Sequence, residues 1–203
     1  MRITKIEAQV KAKGRYSVFV DNKFAFGISE EGLISSRLSQ NDTLDKAQLD
    51  QLKDTARLDK LYNQALSLIM RRPRSSWEIR DYLRRKDVND DQSQQIYQRL
   101  ENKGYINDLD FAKRWVENRR LLKATSTRKL DAELRQKRVD QNIISQVLSN
   151  DETDEIEVIL RVIEKKRQQP RYRDKTKLMQ YLAQQGYRYA DIKQALELAG
   201  DTG

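Results

Sequence analysis

The chain has 203 residues, with 40 Lys and Arg against 31 Asp and Glu, no His, no Cys and a formal charge of +9. Without an imidazole or a thiolate there is no Ser-His-Asp triad, thiol nucleophile, disulfide or ordinary zinc site, which leaves carboxylate-bound Mg²⁺ or Lys, Asp and Glu for any catalysis. Charged residues are 35% and apolar residues 37% of the chain, a balance that favours thin helical layers over one thick core.

The start, Met1 to Arg15, lacks the apolar stretch of a signal peptide, and no run approaches the ~18 apolar residues of a membrane span. A cytoplasmic protein is expected, and the absence of cysteine fits a reducing compartment. The charge is not spread evenly. Residues 1–70 carry +2, residues 71–138 carry +8, residues 139–150 carry −1 and residues 151–203 are neutral in sum. One sign concentrated in the middle third is the footprint of an anionic partner, either nucleic acid or an acidic protein surface.

In chain order, Ile3 to Val10, Tyr16 to Val20 and Phe24 to Phe26 are rich in β-branched and aromatic residues. Lys13-Gly14-Arg15 and Asp21-Asn22-Lys23 between them are turn chemistry, so a three-stranded meander is expected. Ser29-Glu30-Glu31 reads as an N-cap with an acidic first turn, opening a short helix to about Ser36. Ser39 to Asp42 is the candidate linker to the helical part. Leu49, Leu52, Ala56, Leu61, Ala65, Leu68 and Ile69 keep helical spacing up to Met70, and Arg71-Arg72-Pro73 ends it.

Beyond this point the chain repeats itself. Ser75 to Val88, Ser126 to Val139 and Lys177 to Tyr187 align with Ile79/Leu83, Leu130/Leu134 and Leu178/Leu182 in register, at offsets of 51 and 48 residues. An apolar helix precedes each segment (Leu61 to Met70, Phe111 to Val116, Ile156 to Ile163). Another follows each (Ile96/Leu100, Ile143/Val147, Ile192/Leu196). The unit is three helices, present three times. The expected fold is mainly α: three tandem three-helix repeats forming an elongated, curved body, with a small N-terminal β-meander. The expected divisions are 1–40 for the meander and short helix, 41–107 for repeat 1 with its lead-in helix, 108–150 for repeat 2 and 151–203 for repeat 3.

Ser75 with Glu78 forms a capping box, and Asp108 and Asp174 are candidate caps for the helices that follow them. Just past the three middle helices stand Asp87, Arg138 and Gly186. Gly suits a left-handed residue there, Asp tolerates it and Arg does so at a cost, so the second helix is expected to end differently.

Four segments in order resemble one family, the RecX regulators of the bacterial recombinase RecA. Arg72-Pro-Arg-Ser-Ser-Trp-Glu-Ile-Arg-Asp-Tyr-Leu-Arg-Arg-Lys86 resembles its first-repeat signature. Gly104-Tyr-Ile-Asn-Asp108 followed by Phe111-Ala-Lys resembles its junction to the second repeat, and Leu130-Asp-Ala-Glu-Leu-Arg-Gln-Lys137 its second-repeat core. Ile3-Thr-Lys-Ile-Glu7 with Phe24-Ala-Phe-Gly-Ile-Ser29 resembles the N-terminal extension of longer members. The resemblance implies a non-enzymatic protein, without cofactor or metal, that lies along the groove of a RecA filament on single-stranded DNA and depresses its ATP hydrolysis, strand exchange and co-protease function. Asp87 and Arg138 stand where the family commonly has Gly, and Thr125-Ser-Thr127 where Gly-Pro is frequent, so local cap geometry departs from the pattern.

The candidate partner face comprises Arg71, Arg72, Arg74, Arg80, Arg84, Arg85, Lys86, Arg119, Arg120, Arg128, Arg135, Lys137 and Arg138. A solvated face balanced by Glu78 and Asp81 is the plainer reading, and Arg or Lys at a helix end also satisfies the helix dipole. Recurrence of Arg135, Lys137 and Arg138 at nearly the repeat positions of Arg84 and Arg85 favours binding. Trp77, in a first turn beside basic residues, is a candidate interface aromatic, whereas Trp115, Tyr82 and Tyr181 read as packing. Asp87, Asp90 and Asp91 form an acidic loop cluster, read as an inter-helix loop over a Mg²⁺ site. No Gly-x4-Gly-Lys-Ser/Thr sequence is present, so any effect on ATP hydrolysis is expected to act through a partner. The expected partners are a RecA filament and, directly and weakly, single-stranded DNA, with the protein a monomer. A stand-alone DNA-binding helical module is the alternative.

Overall fold

Asp21 and Asn22 both take left-handed backbone angles (φ 49° and 65°), the geometry of a two-residue hairpin turn whose twist matches its strands. In the computed structural model, which describes residues 1–10, 12–86 and 88–200, this turn joins β2 (Arg15–Val20) to β3 (Lys23–Ser29). With β1 (Ile3–Ala8) they form an antiparallel sheet in the order β1-β2-β3. The short helix α1 (Glu30–Ser35) follows, capped by Ser29, and then the 26-residue helix α2 (Lys46–Arg71). Ile3, Val18, Val20, Phe26 and Ile28 of the sheet close over Leu49 and Ala56 of α2.

Ser39 to Asp42 is more than a spacer. Ile3 donates its N–H to the Asp42 carbonyl (2.9 Å), Asn41 donates to the Ile3 carbonyl (2.8 Å) and Leu44 to the Met1 carbonyl (2.7 Å). The stretch runs along the strand edge and satisfies backbone groups that β1 would otherwise leave open. A second fastening is the buried Asp59 of α2. Its carboxylate accepts from the Ser29 N–H (3.0 Å), the Ser29 hydroxyl (2.8 Å) and Asn63 Nδ2 (3.2 Å), with Arg15 Nη1 at 3.9 Å.

The chain divides into two compact units, one of Met1–Pro73 with Ile79–Tyr105, the other of Arg74–Glu78 with Ile106–Gly203. The first holds the sheet, α1, α2, most of α3 (Ser76–Arg84) and α4 (Asp90–Asn102). The second holds the opening turn of α3, then α5 (Asp108–Lys123), α6 (Thr127–Gln136), α7 (Gln141–Ser149), α8 (Glu155–Arg167), a 3-10 turn (Pro170–Arg173), α9 (Lys175–Gln184) and α10 (Tyr189–Leu198). The helices are three sets of three: α2-α3-α4, α5-α6-α7 and α8-α9-α10. The aligned pairs Ile79/Leu83, Leu130/Leu134 and Leu178/Leu182 are all fully buried. Each set has its own small core, with Phe111, Val116, Val139 and Val147 in the second and Val158, Ile163, Tyr187 and Leu196 in the third. In α7 it is Ile144, one residue beyond Ile143, that is fully buried.

The caps follow local chemistry, with two differences from expectation. Ser75 and Glu78 exchange both capping-box bonds, and Asp174 caps α9. Asp108, however, is the first residue of α5; Asn107 is its cap and accepts from the Leu109 and Asp110 N–H groups. Nor does the second middle helix end differently. Arg138 takes φ 56° where Gly186 takes φ 92°. Both ends close the same six-to-one bond, Val139 N–H to Leu134 O and Tyr187 N–H to Leu182 O. The corresponding Asp87 lies outside the described residues; of the acidic cluster read as an inter-helix loop around it, Asp90 and Asp91 instead open the first turn of α4.

A side chain held left-handed costs about 1 kcal/mol that glycine avoids, so Arg138→Gly is expected to raise stability by about that amount in urea unfolding. Asp59→Ala strands the Ser29 donors and is expected to lower it by about 1–3 kcal/mol in the same measurement.

Candidate binding surface and the junctions that aim it

The middle helix of each repeat turns one apolar stripe inward, so its opposite face is set by spacing alone. On α6 the exposed stripe is Arg128, Ala132 and Arg135; the equivalent positions on α3 are Trp77, Asp81 and Arg84, and on α9 Thr176, Gln180 and Ala183. Arg84 and Arg135 occupy the same repeat position, and both remain well exposed (side chains 77% and 59%) while each touches an aspartate of its own helix. Arg84 Nη2 lies 2.8 Å from Asp81 Oδ1, Arg85 Nη2 2.9 Å from Asp81 Oδ2, and Arg135 Nε 2.7 Å from Asp131 Oδ2. Hydrogen bonding from Arg84, helped by the charges of Arg85 and Arg84, holds the Asp81 carboxyl below its ordinary value against a smaller opposing desolvation. Asp81 therefore stays ionised, and the pair stays tied, into mild acid.

The other expected residues divide by what they touch. Arg71 ends α2 and Arg72 follows it, both exposed, and Arg128 and Arg138 are exposed on and just past α6. Trp77 keeps 43% of its surface. Arg80 stacks on the Tyr97 ring at 3.6 Å and donates to Gln94 Oε1, and Lys86 Nζ rests 4.9 Å from the Tyr82 ring. Arg74 lies 3.9 Å from Glu78 Oε1. Arg119 is committed to Glu133 (2.6 Å) and to the face of Trp115, whose Nε1 donates to the same carboxylate (2.8 Å).

Arg120 does not belong to the surface at all. It is buried to 7% exposure, with bonds to Asp151 Oδ2, Glu155 Oε2, Thr127 Oγ1 and the Thr125 carbonyl. It faces inward because α5 continues past its core residue Val116 for one more turn, which returns residue 120 to the apolar side.

Sequence reasoning missed the contacts that fasten the opening turn of α3 and the start of α6. The Ser75 hydroxyl, fully buried, donates to the carbonyl of Lys137 at the end of α6 (2.8 Å); the Ser126 hydroxyl, also fully buried, donates to the carbonyl of Gln185 at the end of α9 (2.7 Å). Donor and acceptor are related by the repeat in both cases. The next residue repeats too: Ser76 N–H donates to Asp108 Oδ1 (2.7 Å) and Thr127 N–H to Glu155 Oε1 (3.0 Å). Across the first junction Lys137 Nζ pairs with Glu78 (3.1 Å), and across the second Lys129 Nζ meets Gln185 Oε1 (2.9 Å). A Cβ on Gly186 would lie 2.8 Å from Ser126 Oγ, so the second junction needs glycine for room as well as for φ. Tyr187 adds its hydroxyl to the Ala124 carbonyl, and burial pushes its ionisation well above the ordinary value.

These features have known counterparts. Residues 1–45 match the model of the regulatory protein RecX N-terminal domain, and residues 62–100, 107–148 and 152–196 match those of the first, second and third RecX three-helix domains. A regulatory protein RecX of Leuconostoc citreum is 33% identical over 184 residues, covering 91% of this chain and 69% of that protein. The chain belongs to the RecX family. A RecX of Listeria innocua is 34% identical over 148 residues, 73% of this chain, and the chain spans 55% of that relative's length. Among solved structures, one titled regulatory protein RecX superposes with a TM-score of 0.69 at 25% identity, covering 97% of this chain and 98% of the other. RecX from Lactobacillus salivarius gives 0.60 at 25% identity, over 69% of this chain and 94% of its own.

Each junction serine both accepts an N–H of its own helix and donates to a carbonyl. Aspartate is as good an N-cap but has no proton to donate. Ser126→Ala is expected to cost about 1–3 kcal/mol by leaving the Gln185 carbonyl unpaired, and Ser126→Asp is expected to cost more than Ser126→Ala. Thermal unfolding of the two variants reads the order; an aspartate variant as stable as wild type would refute the donor role. Arg120→Met strands Asp151 and Glu155 and is expected to cost about 3–5 kcal/mol.

Proposed function

We propose that this RecX-family chain is a non-catalytic, cytoplasmic regulator that binds a RecA filament on single-stranded DNA and lowers its ATPase, strand exchange and co-protease activities. The observation that supports the reading most is the exposed stripe on successive middle helices. Arg84, Arg128 and Arg135 project from repeat-equivalent or neighbouring positions of α3 and α6, while α9 carries Thr176, Gln180 and Ala183 there. Cations at matching places on tandem units suit a partner that is itself repetitive, because several modest contacts made together gain strength from their linkage. The relatives are named regulatory proteins, the sequence has no phosphate-binding Gly-rich loop, and no helix among the described residues is long and apolar enough to cross a membrane. With Arg119, Arg120 and Lys137 engaged in internal pairs, the exposed Arg71, Arg72, Arg84, Arg85, Arg128, Arg135 and Arg138 form the proposed contact set, with Trp77 as its aromatic member.

In an ATPase assay of the recombinase on single-stranded DNA, the chain is expected to inhibit. The variant R84E/R128E/R135E is expected to need at least ten times more protein for the same inhibition, with its unfolding temperature unchanged. Absence of inhibition by the wild-type chain, even in excess, would overturn the reading, and tight sequence-dependent duplex binding without recombinase would support a stand-alone DNA-binding module instead.

A further inference from the structure

On the exposed stripe of the middle helices, arginine and carboxylate come and go together. Arg84 of α3 and Arg135 of α6 hold the same repeat position, and each meets an aspartate of its own helix: Arg84 Nη2 lies 2.8 Å from Asp81 Oδ1 and Arg135 Nε lies 2.7 Å from Asp131 Oδ2. The two aspartates are not repeat-equivalent. Asp131 aligns with Arg80 and Asp81 aligns with Ala132, so the contact recurs although the position does not. The third middle helix makes the contrast: α9 has Ala183 in place of the arginine, and Met179 and Gln180 at the two aspartate positions. Arg85 joins the first pair, with Nη2 2.9 Å from Asp81 Oδ2 and Nε donating to the Asp81 carbonyl (3.2 Å).

Helix stability is a weak account of these pairs, because their arginines remain well exposed and ion pairs this open contribute little. What they change is the field that a partner meets. Arg84 and Arg85 with Asp81 present one net positive charge from two cations, and Arg135 with Asp131 presents none. Arg128 has similar company: it lines a cavity of about 590 Å³ within the second unit together with Arg188 and three carboxylates, Asp131, Glu155 and Asp191. A nucleic-acid backbone brings only anions in a closely spaced row, so each phosphate that settles on one of these arginines is carried towards a carboxylate. A protein surface brings both signs and can answer the carboxylates as well as the cations. A guanidinium has five N–H donors, so an arginine tied through one of them still presents others outward.

We propose that Asp81 and Asp131 are specificity-determining residues, which turn the arginine stripe away from nucleic-acid phosphate and towards a protein surface that carries both signs. The inference rests on the filament reading and deepens it: the stripe meets the recombinase protein of the filament and leaves the DNA to the recombinase. Charge and distance set the size of the effect. A phosphate seated on a paired arginine lies about 6 Å from the carboxylate, and at that distance in water the repulsion weakens binding about threefold. The two aspartates together weaken it about tenfold.

The test uses the full chain. Anisotropy of a fluorescein-labelled thymidine oligonucleotide, without recombinase and at low salt, compares wild type with D81N/D131N, which keeps the shape of both side chains and removes their charge. The variant is expected to bind the oligonucleotide about tenfold more tightly, while D81E/D131E, which keeps the charge, stays within twofold of wild type. D50N/D54N removes two exposed carboxylates that pair with Lys53 and Arg57 on α2 and is expected to change the affinity less than twofold. In the recombinase ATPase assay D81N/D131N is expected to inhibit no better than wild type. Unchanged oligonucleotide affinity in D81N/D131N overturns the proposal, and an equal gain in D50N/D54N overturns it in favour of net charge alone. A tenfold gain in inhibition by D81N/D131N also overturns it, because the aspartates would then oppose every partner alike. Failure of the filament reading is a different result, absence of inhibition by the wild-type chain, and the oligonucleotide comparison does not depend on it.

Discussion

A buried serine hydroxyl at the start of a middle helix, handed to a terminal carbonyl of the next one, fastens the opening turn of α3 to the end of α6 and the start of α6 to the end of α9. The bond works because both ends are already polar and incomplete. The first turn of a helix has free N–H groups, the last turn has free carbonyls, and one hydroxyl accepts from the former while donating to the latter. Ser75 and Ser126 do this in the same way, and the carboxylates of Asp108 and Glu155 take the adjacent N–H groups. Within the second unit, the second and third repeats satisfy one another's helix ends and each keeps a small core of its own.

The positive charge occurs in two settings. Arg120 and Lys137 join neighbouring repeats through Asp151, Glu155 and Glu78, and Arg119 braces α5 against α6 through Glu133. Arg84, Arg85 and Arg135 lie on the surface, tied to aspartates of their own helix. An arginine tethered by a helical neighbour loses less side-chain freedom when a partner takes it, and exposed pairs of this kind contribute little to stability themselves. Asp81 and Asp131 then pre-orient the cations that face outward, while the buried pairs keep the helices beneath them in place.

The N-terminal sheet has a comparable logic. Its inward residues cover the first half of α2, and Asp59 receives both polar groups of Ser29 at the point where the sheet ends and α1 begins. The long helix is therefore packed along its amino-terminal half by β-structure and along its carboxyl-terminal half by its own repeat, where Leu61, Tyr62 and Ala65 are buried.

Most of the fold was legible in the sequence because it is written in local, periodic signals. The strands, the α2 stop at Pro73, the three-fold helix pattern and the register of Ile79/Leu83 with Leu130/Leu134 and Leu178/Leu182 depend on residue type and spacing, and physics close to the backbone enforces them. The position of a charge was legible only as a place along the chain. That Arg120 is internal while Arg119 lies half-exposed beside it, that Asp108 serves α3 and leaves the capping of α5 to Asn107, and that Arg138 accepts a left-handed backbone were all settled by groups 30 to 60 residues away or by the geometry of a shared junction. Sequence by itself determined the helices, their repetition and the sign of the surface; tertiary structure alone decided which cations are spent inside, because pairing depends on distances that folding creates between segments with no local relation.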